Sequence, residues 1–420
     1  MFTTLILMGC GSGESNKVIV IDDSLLVLPQ IGEPLPKGVI AYDKIASDVS
    51  GLQLIGDQST GQTLLWQSVD SFSGMFPNYS INVSEYFSGE GWNSPETIKT
   101  NLLFSETRLL KDRLGDVHVS WWVPGREIGV RSKINDEWQP QKIFTNNGLC
   151  LEMDSQNIDV GPSLIWCGNN RLVNREGLDN NNWISKGEIG NSNIEKRRVN
   201  YSEIANDNYL LSWIPSGFDI DNQSDYGIRV GEYTSEGVAL SDTKVVTFED
   251  YHLPNNKLFS NKSDRHLLVW DDSTKPLINK LKVSLFDRIW SEETTLNSGS
   301  VGYTKFDNYF LSNKHAILLA HQFAMNGLEI YYYNGNLWSE ISVIEDVTSF
   351  DAVVEENTLL LVYANELETK GIRIEAGTIN DDIFKLEQKV NSIGVSNLGS
   401  NKLMTVWTLL GDAYYTIIEY

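Results

Sequence analysis

Short apolar runs separated by turn residues recur from about residue 60 to the end of the chain. Eight of these runs align as tetrapeptides whose last residues are Trp66, Trp121, Trp166, Trp213, Trp270, His321, Tyr363 and Trp407, spaced 42 to 57 residues apart. Each tetrapeptide is rich in residues that suit a buried strand. A second mark follows: an alternating strand, a turn residue, and an aromatic three positions later. The pairs are Gly89 with Trp92, Asn135 with Trp138, Asn180 with Trp183, Asp287 with Trp290 and Gly335 with Trp338. Gly237 with Leu240 and Asp381 with Phe384 continue the series. The turn residues are the types that tolerate positive φ in a hairpin. A period of this length with several short strands per unit predicts an all-β fold, a β-propeller of eight four-stranded blades. Seven blades, with one unit displaced, is the alternative count.

Unit seven shows four strands, at 349–354, 358–364, 371–378 and 382–390. The last unit starts near Ile393 and has three strands, ending at 413–420. An unassigned apolar strand, Lys17–Ile21, predicts closure of the ring from the N-terminus, which removes a sheet edge. Residues 17–420 then form one propeller domain, and residues 1–16 a tether.

The two marks absorb all twelve Trp once Trp122 is taken as the neighbour of Trp121. An aromatic that recurs once per blade reads as packing between blades before it reads as a sugar platform. Trp122, on the opposite face from Trp121, is the one expected nearest the surface. His321 occupies a Trp slot, so it and His315 read as core residues and not as metal ligands.

Charge narrows the partners. The net charge of −23 disfavours nucleic acid and electrostatic docking on anionic lipid, and it leaves room for a cationic partner. Apart from Phe2–Met8, which leads into Leu7-Met-Gly-Cys10, no segment suggests a membrane. That box resembles the end of a bacterial lipoprotein signal, in which the Cys, here Cys10, carries the lipid. The run is short and no Lys or Arg precedes it, as expected of a start inside a longer signal. The resemblance implies export and a lipid anchor on the envelope, facing the periplasm or the cell surface. Cys150 and Cys167 then form an even pair on neighbouring strands of blade three, positioned for a disulfide. The loop holding Asp219, Asp221 and Asp225 concentrates oxygen donors that calcium could use, although it lacks the Gly and the terminal Glu of an EF-hand. No other cofactor is expected.

Strand, short turn and Trp on a propeller period resemble the Asp-box, or BNR, repeats of sialidase-like propellers, Ser/Thr-x-Asp-x-Gly-x-x-Trp. Only the turn residue and the Trp match. The Asp position holds Phe87, Lys133, Leu178, Leu285 and Tyr333, and the Ser/Thr position holds Glu85, Arg131, Glu176, Val283 and Tyr331. Size, charge and anchor are also similar to the eight-bladed lipoprotein of the outer-membrane barrel assembly machine, without that family's Ala-x-Asp-x-x-Thr-Gly pattern. These resemblances imply a fold and not an activity. A sialidase-type site would combine three Arg, a Tyr backed by a Glu, and an Asp. The twelve Arg and 17 Tyr include the parts, but such sites assemble from several blades and no spacing identifies them. No GxSxG elbow, P-loop or HExxH occurs. The expectation is a non-catalytic binding or scaffold propeller that takes an envelope protein or glycan at the channel mouth. The alternative is a sialidase-like hydrolase using that channel.

Overall fold

The computed structural model describes residues 39–420 apart from short stretches of connecting chain, the longest of them 217–226. Eight antiparallel sheets follow one another along the chain and form an eight-bladed β-propeller. The innermost strands are Val49–Asp57, Glu106–Lys111, Cys150–Asp154, Glu195–Glu203, Asn256–Ser260, Tyr303–Phe310, Ser349–Glu355 and Ile393–Gly399. They approach one another around the axis, and the first meets the last.

Every Trp slot falls on the second strand of its blade, and its direction of packing repeats. Trp66 packs against blade eight, Trp121 against blade one, Trp213 against blade three, Trp270 against blade four and Trp407 against blade seven. The ring thus leans on the preceding blade. The buried hydrophobic residues fall into eight clusters, one at each junction between neighbouring blades. The core is therefore a circle of inter-blade seams, and burial of large aromatics there supplies much of the stabilisation. Trp121 lies over its register partner Gly129, where a Cβ would collide with the indole. None of the twelve Trp is fully exposed, and Trp122 is half-buried against the seam between blades two and three.

Two expectations are corrected. Lys17–Ile21 lies outside the described residues, and the fourth strand of the last blade is Val39–Ala46, antiparallel to Asp412–Glu419. Val39 enters the seam with blade seven, while Ala41 and Ile45 enter the seam with blade one. On its outward side Lys44 pairs with Asp412 at 2.6 Å. In blade seven the third hairpin turns at Ala376 and Gly377, both at positive φ, and Asp381 lies within the strand Thr378–Leu386. A two-residue hairpin loop of this kind requires positive φ at both central positions. Ala376 is an unusual residue there, so the sequence marks this turn only through Gly377. Phe384 instead packs over its register partner Gly371.

Candidate functional site: channel, buried networks and an inter-blade cavity

Innermost strands have one edge without a ladder partner, so their backbone groups need other partners. Among the described residues, side chains from neighbouring blades supply them at six junctions. Gln53 accepts from the N–H of Leu109 at 3.0 Å and donates to the carbonyl of Thr107 at 2.8 Å, joining blades one and two. Asn200 donates to the carbonyl of Asn256, Asn255 to that of Tyr303, and Lys305 to that of Phe350. Asp351 accepts from the N–H of Val395 at 2.8 Å, and Ser396 donates to the carbonyl of Gly56 at 2.9 Å. Gln53, Asn200 and Asp351 hold equivalent positions, each opposite the residue that precedes the aromatic slot, namely Leu65, Ser212 and Val362. These six polar residues are thus occupied in joining blades.

Arginines do not converge on the channel among the described side chains. Arg131, Arg175, Arg229 and Arg373 stand on third strands, away from the axis. Arg108 is on an innermost strand but pairs with Glu106. Arg197 and Arg198 lie on the innermost strand of blade four.

Two constellations have catalytic connectivity. Tyr303 and Tyr331 each donate to Oε2 of Glu329 at 2.7 Å, and Asn297 and Gln322 donate to its Oε1. Tyr303 is 2% exposed and Glu329 1%, so no substrate reaches the pair. Burial, and then the charge of Glu329, pushes the Tyr331 phenol far above its ordinary pKa, the reverse of what a nucleophile needs. His118 links Ser132, at 2.9 Å from Nδ1, to Asp112, at 3.4 Å from Nε2. This is the connectivity of a Ser-His-Asp triad, but all three are buried and Trp183 donates to the Ser132 hydroxyl at 2.9 Å. Burial would raise the Asp112 pKa; bonds from His118 and the N–H groups of Leu114 and Asp116 outweigh it and hold the carboxyl below its usual value. Its job is to fix the 112–116 turn.

A third cluster is ionic. The Lys133 ammonium donates to Glu85 across the seam between blades one and two, with Glu96 and Asp136 within 4 Å. Desolvation pulls the lysine pKa down, but these carboxylates, Glu85 foremost, bring it above its ordinary value.

An open cavity of about 300 Å³ lies between blades four and five. Two cross-strand rows face each other across it. Leu210, Glu232 and Ser241 are register neighbours on blade four, and His266, Phe286 and Trp290 on blade five. The second row is an aromatic stack, with centroids 5.3 Å apart at each step.

Cys150 and Cys167 are direct register partners on the first two strands of blade three, and Cys167 is disulfide-bonded. Cys10 lies outside the described residues, as do Asp219, Asp221 and Asp225. Among the described residues no group of three His, Cys, Asp or Glu could hold a metal ion. His321 takes a structural role, its Nε2 2.8 Å from the carbonyl of Val347 at the entry to blade seven.

No family model matches this chain, and no curated protein matches it by sequence. Its fold is shared with solved propellers. The propeller of Dos1 superposes with a TM-score of 0.51 at 9% identity, over 91% of this chain and 95% of that one. The Cps50 (Swd1) propeller domain of Myceliophteria thermophila gives 0.46 at 7% identity, over 91% and 99%. The NanB sialidase of Streptococcus pneumoniae gives 0.40 at 10% identity, over 95% and 73%. At these identities the likeness is one of fold.

Proposed function

We propose that this chain is a non-catalytic binding propeller of the bacterial cell envelope, lipid-anchored at Cys10, that holds a protein partner on one of its faces. The observation carrying this reading is the burial of both catalysis-like constellations, Tyr303–Glu329 and Ser132–His118–Asp112, between blades. Six polar side chains along the channel edge are engaged with neighbouring backbone, which supports a scaffold reading. Apolar side chains stand exposed on turns and at the strand ends beside them, among them Phe72, Leu114, Ile289, Leu337 and Leu367. Such residues at loop tips suit recognition of another protein. The Leu7-Met-Gly-Cys10 box supports the anchor. Two measurements test the reading. Purified protein should not turn over fluorogenic sialosides or aryl glycosides; saturable turnover lost on mutating a channel carboxylate would overturn it. A fatty-acid label supplied to cells expressing the gene from its natural start should enter the wild type and not Cys10→Ser.

A further inference from the structure

The repeat contains one junction in two versions. At the seam of blades one and two, Glu85 lies opposite Thr63, the first residue of its tetrapeptide. Across the seam, Lys133 lies opposite Val117, the residue preceding the next tetrapeptide, and Trp138 lies opposite Lys133. The ammonium of Lys133 sits on the Glu85 carboxylate, with both side chains about nine-tenths buried.

At the seam of blades four and five the same positions hold Glu232 opposite Leu210, Phe286 opposite His266, and Trp290 opposite Phe286. The carboxylate and the Trp are retained, and a phenyl ring replaces the lysine. In the place where a lysine would reach stands the cavity of about 300 Å³. Among the described residues Glu232 has no cationic partner; it accepts one side-chain hydrogen bond, from Asn208 at 3.1 Å. Ser241 and Thr243, both small, leave the space open. Phe286 and Trp290 meet at 53°, forming an apolar corner beside the carboxylate.

We propose that this cavity binds an alkylammonium group, the lysine side chain of a protein partner, which takes from outside the place that Lys133 fills from within at the other seam. The chemistry is complementary throughout. The carboxylate meets the charge, the Phe286–Trp290 corner takes the methylenes and adds cation–π attraction, and the volume suits a single side chain. The net charge of −23 steers a basic partner toward the surface. Ile289, 78% exposed, forms one lip of the cavity, and Val238, 60% exposed, stands on the turn before the strand of Ser241. Both are available to the apolar surroundings of such a lysine. The inference rests on the binding-module reading and names the chemistry it uses.

The test is calorimetric titration of the purified full chain with three probes: N-acetyl-lysine methylamide, choline, and 3,3-dimethyl-1-butanol, the neutral shape-mimic of choline. The lysine derivative should bind saturably and the neutral probe should not. Glu232→Gln should weaken lysine binding at least about tenfold, since one of two oppositely charged partners is lost. Phe286→Lys should abolish it while the protein melts no lower than the parent, because the cavity then supplies its own ammonium. Equal binding of the neutral probe, indifference to Glu232→Gln, or no binding of the lysine derivative would each overturn the proposal. Choline binding alone would assign the cavity to a free quaternary amine and equally overturn it. Glycoside turnover would sink the binding-module reading itself, an outcome independent of these titrations.

Discussion

Asp351 of blade seven accepts the backbone N–H of Val395 on blade eight at 2.8 Å, so a carboxylate stands where most such contacts use a neutral amide or a hydroxyl. Burial raises its pKa from 3.8 to about 6; Lys305 and the N–H of Val395 oppose the rise, and Asp307 adds to it.

This predicts a pH signature. The folded state holds the Asp351 proton more tightly than the unfolded chain does, so this contribution favours folding below pH 3.8 and is lost as pH rises through about 6. Asp351→Asn keeps an acceptor for Val395 and removes the charge. Above pH 6 the variant should be more stable than the parent by up to about 3 kcal/mol. The advantage should vanish below pH 4. Denaturant midpoints across pH 4 to 7.5 check it, and a constant difference across that range would contradict it.

Closure of the ring predicts a contrast between two truncations. Removing residues 1–37 keeps the strand Val39–Ala46 and gives the reference melting temperature. Removing residues 1–46 strips Val39–Ala46 from Asp412–Glu419 and exposes an unpaired edge. Aggregation, or a fall of roughly 10 °C or more, should follow. Equal melting of the two truncations would show that this strand does not hold the last blade.

The Glu329 network predicts an order of damage. Tyr331→Phe removes one of four donors to a buried carboxylate and should cost about 1.5–3 kcal/mol. Glu329→Ala should cost more, because all four donors, Tyr303, Tyr331, Asn297 and Gln322, then lose their acceptor. Denaturant unfolding measures both, and the reverse order would mean that the carboxylate is not the hub.

Blade three predicts a redox dependence. If Cys150 is the bonded partner of Cys167, reductant or Cys167→Ser should open a loop of roughly 17 residues and lower stability by on the order of 3 kcal/mol in the chain-entropy picture. Mass spectrometry of the untreated protein should count two fewer free thiols than after reduction.

The sequence made the repeat legible because a large aromatic on the second strand recurs wherever two blades meet. All eight slots, from Trp66 to Trp407, stand on second strands. Gly89, Asn135, Gly237 and Gly335 all have positive φ, as turn chemistry requires. The closing strand was hidden because Val39–Ala46 puts Asp43 and Lys44 side by side and follows a stretch with Pro34, Pro36 and Gly38, which reads as a linker. The run Lys17–Ile21, β-branched throughout after its lysine, reads as a strand instead. The cavity could not be found from spacing. Glu232 and Phe286 are 54 residues apart, and their equivalence to Glu85 and Lys133 appears only once strand register is known. The buried Ser132–His118–Asp112 group was equally silent, since its members share no motif.

The last blade joins the two ends of the chain, and this sets an order of events in time. Lys44 and Asp412 are 368 positions apart, and the same strand pairing that seals the ring joins Val39 to Ile418. During synthesis the strand Val39–Ala46 emerges first and must wait, unpaired, until Asp412–Glu419 leaves the ribosome. Seven blades can collapse in succession through contacts with the blade just made, but closure must wait for the last of them and brings together strands far apart in the chain. Sealing is then the slow and vulnerable step. A chain interrupted before it would present an open edge at either end, and two such chains could complete each other's last blade.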